Sequence, residues 1–165
     1  MMYPQTMGFV RRALSLYTFI ALAAFCQSSR SKANDEKAVD AIRQLLAKYT
    51  AALDAADVGL AAQVWRTSPD VSLIHPGGHA RGWEEVKQFY NFFGSAFSDR
   101  KLTARDVSVQ INGETAWVLY YWHFIGKGKD GSTLETDGRE SQIYYKTGNR
   151  WQLIHAHYSS PVKMP

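Results

Sequence analysis

Between residues 39 and 53 the apolar side chains Val39, Ile42, Leu46, Tyr49 and Leu53 recur three and four positions apart, with polar residues between them. That spacing predicts a helix with one buried stripe, which Asn34 or Asp35 could cap. Asp57 can cap a second, shorter helix carrying Leu60, Val64 and Trp65, broken by Ser68-Pro69-Asp70. A short apolar run at 71–75 predicts a strand ended by Pro76-Gly77-Gly78. After Gly82, the residues Trp83, Val86, Tyr90, Phe93 and Phe97 return to helical spacing, with Phe89 and Phe92 widening the stripe. A stripe of this kind predicts core packing rather than a ligand box.

From residue 102 onward the period falls to two. Strands are predicted at 102–111, 115–126, 133–146 and 150–159. Asn112-Gly113 supplies a hairpin turn, 127–131 and Thr147-Gly148-Asn149 two more, and Asp137-Gly138 offers a bulge. Helices followed by long antiparallel strands make an α+β domain, with three helices in the N-terminal half packed on one face of a curved meander. The segment 115–126 is unusual in having two apolar faces. Ala116, Val118, Tyr120, Trp122 and Phe124 lie on one face; Trp117, Leu119, Tyr121, His123 and Ile125 lie on the other. A sheet with one wet side alternates. A second copy of the chain, making a homodimer, is the expected cover for the extra face, unless the sheet curls far enough to hide its own back.

Charge changes the picture only at the N-terminus. Four of the 19 Lys and Arg (Arg11, Arg12, Arg30 and Lys32) lie in the first 33 residues, which hold no acid; the other 15 face 15 Asp and Glu. The remainder is neutral, so the sequence gives nucleic-acid binding no electrostatic support. The basic lead-in, the apolar core at 13–25 and Ser31-Lys32-Ala33 have the layout of a secretory signal, residues 1–33, with a mature domain at 34–165. Export to the periplasm or medium is therefore expected, and membrane contact only through an uncleaved signal. The single cysteine, Cys26, falls within that segment, which leaves the mature domain no disulfide and no thiol.

Several stretches together resemble the SnoaL-like branch of the nuclear transport factor 2-like superfamily, from about Lys37 to Val162. They are AIRQLLAKYTAALDAAD, DVSLIHPGGHARGWEEVKQFY, TAWVLYYWHF and, most specifically, GRESQIYYKTGNRWQLIHAHYS. The last also resembles the close of the association domain of calcium/calmodulin-dependent protein kinase II. The resemblance implies a cone in which a bent sheet wraps a pocket roofed by helices, commonly dimeric through the backs of the sheets. It does not select an activity, since polyketide cyclases, ketosteroid isomerase, scytalone dehydratase and pocket proteins without known chemistry share this fold.

For chemistry the sequence offers two strands. Alternation counted from Trp151 puts Leu153, His155, His157 and Ser159 on one face, running from apolar to polar as a wall entering a cavity would. His157 is the candidate acid–base group and cavity ligand, with His155 packed deeper or bonded to the sheet. Arg139 and Ser141 share a face with Ile143 and Tyr145; inside a cone, Arg139 would hold a carboxylate or enolate, and outside it would pair with Glu140, Glu135 or Asp137. Tyr120 and Trp122 could line the sheet side of the cavity, and His75 its rim. Zinc on His155 and His157 with His75 or His79 is a rival use, but H-x-H alone is a weak pattern, and the sequence calls for no metal or cofactor. The acids are otherwise accounted for: Asp54, Asp57 and Asp70 by helix ends or strand starts, Glu84 and Glu85 by a helix N-terminus. The expected function is binding of a small, partly apolar organic ligand, anionic where Arg139 faces it. A lyase, cyclase or isomerase using His157, or a non-catalytic assembly module, are the alternatives.

Overall fold

The computed structural model describes residues 9–161, with side chains described for 32–161. The chain divides into two compact units, Met1–Ala38 and Val39–Pro165, and the second holds the site. The predicted leader through Ser31 lies outside the residues whose side chains are described. Among the described residues no helix is long and apolar enough to cross a membrane.

The elements run α1 (Phe9–Ala55), α2 (Val58–Ala61), β1 (Ser72–His75), β2 (Gly78–Arg81), α3 (Gly82–Ala96), β3 (Phe97–Asn112), β4 (Thr115–Gly128), β5 (Thr133–Thr147) and β6 (Arg150–Ser159). The class is α+β, as the change of period predicts. Asn34 and Asp35 are internal to α1 rather than at its start. Asp57 does cap α2, its Oδ1 accepting the Leu60 N–H at 2.9 Å. The helix is one turn long; Val64 follows it in a turn and Trp65 in an isolated bridge to Leu153, both buried.

The six strands form one unclosed sheet in the order β2-β1-β6-β5-β4-β3. The hairpins β3–β4, β4–β5 and β5–β6 are antiparallel, whereas β1 joins β6 in parallel. Gly113 and Gly148, both at φ 60°, let two of the hairpins close tightly. β2 was not expected: Pro76-Gly77-Gly78 reverses the chain and Gly78 begins an edge strand.

The buried face of β4 is Ala116, Val118, Tyr120, Trp122 and Phe124; Leu119, Tyr121 and Ile125 on the other face are exposed. Ile42, Leu46 and Tyr49 of α1 and Val86 and Tyr90 of α3 are buried with them, and the Trp65 indole donates to the Tyr90 hydroxyl at 3.0 Å. Asp54 ties the end of α1 to β3, accepting the Leu102 N–H at 2.7 Å and pairing with Lys101 at 2.8 Å. The expected bulge at Asp137-Gly138 does not occur; Asp137 and Gly138 pair in register with His123 and Trp122. The irregularities lie instead in β3, between Phe97 and Asp99 and between Arg105 and Ser108, and in the β5–β6 pairing.

Candidate functional site

A cavity of about 610 Å³ opens within the second unit, between α1, α3 and the inner face of β3–β6. Its walls are chiefly aromatic. Phe89 and Phe93 reach it from α3, Phe97 from the start of β3, Trp122 and Phe124 from β4, and Tyr158 from β6. The stripe on α3 therefore has two uses. Val86 and Tyr90 pack as core, while the phenylalanines that widen the stripe face the cavity, with Phe92 60% exposed beside it.

The most buried carboxylate that lines it is Glu140, only 5% exposed. It sits on β5 opposite Tyr120 of β4 and Tyr158 of β6. Gln142 Nε2 donates to Glu140 Oε1 at 2.8 Å and contacts the Tyr120 hydroxyl at 3.1 Å. The Tyr144 hydroxyl in turn donates to Gln142 Oε1 at 2.6 Å, which fixes the amide with its N–H groups toward the carboxylate. Burial raises the Glu140 pKa, because desolvation penalises the charge; hydrogen bonds from Gln142, Tyr120 and Tyr49 act the other way without cancelling it. Burial and the neighbouring Glu140 charge push the Tyr49, Tyr120 and Tyr144 phenols upward, so they remain hydrogen-bond donors.

His75, at the end of β1, lines the cavity with its ring stacked on Tyr158 (centroids 6.0 Å apart) and tilted against Phe89 (5.3 Å). The Gly77 N–H donates to its Nδ1 at 3.2 Å, so the neutral ring carries its proton on Nε2. Burial lowers its pKa. Trp122 lies edge-on to Tyr158, and its buried Nε1 has no hydrogen-bond partner.

The other sequence candidates are placed elsewhere. His155, His157 and Ser159 point away from the cavity because β6 carries one extra residue. Leu153 pairs with Tyr144 and His155 with Ile143, leaving Ile154 unpaired. A one-residue shift exchanges the faces of everything after it, so Ala156 and Tyr158 turn inward. His157 is exposed, and His155 Nδ1 meets the Ser72 hydroxyl at 2.7 Å. The inward His157, and with it the inward face expected for His155, is corrected. Arg139 is exposed and pairs with Tyr121 and Ser159 on the outer face, with Ser141 beside His157; neither lines the cavity. Tyr120 is buried beneath Glu140 rather than on the cavity surface. Among the described residues no group of three His, Cys, Asp or Glu is placed to hold a metal ion.

Glu140 itself was read only as a surface partner for Arg139. Its signal lay in the alternation Glu140, Gln142, Tyr144, which puts these side chains on the face opposite Arg139. The turn centred near Asp130 then sets Glu140 across from Tyr120.

Residues 42–163 match the SnoaL-like domain. The chain belongs to the SnoaL-like family. Among solved structures, a nuclear transport factor 2-like superfamily protein from Salmonella enterica serovar Typhimurium LT2 is 36% identical with a TM-score of 0.71, covering 75% of this chain and 91% of its own. The CaMKII hub of S. rosetta is 25% identical with a TM-score of 0.64, covering 74% of this chain and 95% of its own. A candidate dehydratase of the same fold family from Streptomyces avermitilis is 19% identical with a TM-score of 0.71, covering 77% and 99%. No curated protein matches the chain. This SnoaL-like domain thus has the fold that the quoted motifs imply, shared by binding, catalytic and assembly proteins.

Proposed function

We propose that this SnoaL-like protein is an exported homodimer that binds a small, largely apolar organic molecule in its cavity. One observation carries the binding: an open space of about 610 Å³ walled by aromatic rings, with Glu140 as a single buried polar focus. This is the composition of a ligand site, where apolar walls supply affinity and a few polar groups fix orientation. A cone filled by its own side chains would suit a purely structural module; this one is open. Export rests on the lead-in and apolar core of residues 1–33. The dimer rests on Leu119, Tyr121 and Ile125, which are 46%, 52% and 42% exposed on the outer face of β4.

A second reading is acid–base catalysis by a lyase or isomerase. Glu140 favours it, since burial raises its pKa and a carboxyl that holds its proton more tightly beside an open cavity can serve as an acid–base group. In that reading Glu140 takes the part that the sequence assigned to His157. Native mass spectrometry of the protein purified from its own host tests the main proposal, with a dimer and a retained apolar small molecule as the expected result. A monomer with an empty cavity that takes up no apolar probe would overturn it.

A further inference from the structure

The charge balance of the cavity is one-sided. Its lining contains two carboxylates, Glu140 and Glu85, one imidazole, His75, and no Lys or Arg. Glu140 belongs to none of the ion pairs among the described residues. Its hydrogen-bond partners are nonetheless arranged for an ionised group. Gln142 presents an N–H, not its carbonyl, to Oε1, because Tyr144 occupies that carbonyl. The Tyr49 and Tyr120 hydroxyls also favour the charged form. A buried anion held by neutral donors and lacking a counter-ion is costly, and a positive ligand would relieve that cost.

The walls point the same way. Aromatic rings present a negative face to whatever they surround, and a cation over such faces is attracted by the ring quadrupole. Phe89, Phe93, Phe124, Trp122 and Tyr158 all line the space beside Glu140. The anionic ligand that an inward Arg139 would favour has no support here, because Arg139 lies on the other face of the sheet.

We infer that the cavity takes an organic cation, an amine or quaternary ammonium head facing Glu140 with an apolar body among the phenylalanines of α3 and β4. The inference rests on the ligand-binding reading above and adds the sign of the ligand's charge. The other chemistry open to Glu140, a protonated carboxyl donating to a neutral carbonyl oxygen, would carry no preference for a cation.

Three probes separate these cases by ligand-observed NMR and calorimetry on the full chain: phenyltrimethylammonium, its neutral isostere tert-butylbenzene, and the anion benzoate. The expected result is that the cation binds at least about tenfold more tightly than the isostere, which is about 1.4 kcal/mol, with no detectable benzoate binding. Glu140→Gln should remove that tenfold advantage. Equal affinity for cation and isostere in the wild type overturns the inference while leaving the apolar-ligand reading intact. So does a Glu140→Gln variant that keeps the cation preference. Failure of all three probes to bind overturns both. The wild-type comparison needs no substitution, so it decides the matter even if the variant does not fold.

Discussion

Gly138→Ala is the substitution whose effect follows most directly from the packing. Gly138 lies on the inner face of β5, paired with Trp122. A Cβ built there would meet Trp122 Cζ2 at 2.2 Å, Trp122 Cε2 at 2.5 Å and the Ser159 carbonyl oxygen at 2.2 Å. The indole is itself 4% exposed, and the carbonyl is backbone of the end of β6, so neither neighbour can yield by rotating a free side-chain tip. Overpacking of this kind costs roughly 1–3 kcal/mol. Stiffening the unfolded chain gives back about 0.4–1 kcal/mol, leaving a net loss on the order of 1–2 kcal/mol. For a domain of this size that lowers Tm by roughly 3–10 °C. Urea denaturation followed by far-UV circular dichroism gives the stability, and near-UV circular dichroism reports the indole. Because Trp122 lines the cavity, its displacement should also weaken ligand binding. A variant as stable as the wild type, with an unchanged near-UV spectrum, would refute the close packing of Trp122 on Gly138.

Other consequences can be checked separately. Since the folded state raises the Glu140 pKa above its ordinary value, the native protein holds this proton more tightly than the unfolded chain does. The group's contribution to stability is therefore full below the ordinary glutamate range and falls as pH rises through the folded pKa. The urea midpoint of wild type relative to Glu140→Gln should decline across that interval, and a flat difference would contradict the burial argument. Tyr121→Glu or Trp117→Glu, on the outer face of β4, should weaken self-association by more than about tenfold in analytical ultracentrifugation, because facing charges across a dimer repel; a wild type already monomeric at micromolar concentration would dispose of the dimer. His157→Ala should leave both stability and probe binding within about 0.5 kcal/mol of wild type, as expected for an exposed side chain away from the site; a clear loss of affinity would put the imidazole back in the cavity. N-terminal sequencing of exported material should begin within a few residues of Asn34, and full-length chain confined to the cytoplasm would rule out a cleaved signal.

The elements and the fold class were legible because they depend on short-range signals. The three-and-four spacing over Val39–Leu53, the Asn112-Gly113 and Thr147-Gly148 turns, and the two-residue period of β4 each act within a few residues of themselves. Which face of β4 is wet was not legible, since both faces are apolar and only the position of the helices distinguishes them. The site was harder still. His155 and His157 were sent inward by counting from Trp151, a count that Ile154 interrupts with no glycine or proline to mark it. Glu140 was passed over because an acid next to an arginine reads as a surface pair. The aromatic cover that buries it comes from α1, β4 and β6, far away in sequence. Local chemistry drew the frame, and long-range pairing chose the residues that face inward.

The unpaired Ile154 has a consequence for how assignments pass between relatives. Whether a side chain near the end of the last strand belongs to the cavity depends on the pairing state of a single upstream residue, not on its own identity. An aligned histidine in a homologue that pairs flush at this point would point into the pocket; the same histidine here points out. Transferring active-site annotation across the family column by column can therefore credit the wrong member with a catalytic group, even where the aligned letters agree. Grafting follows the same logic. A protein engineer wishing to install an imidazole in this pocket should replace Tyr158, which lines it, and leave the native His-x-His pair alone.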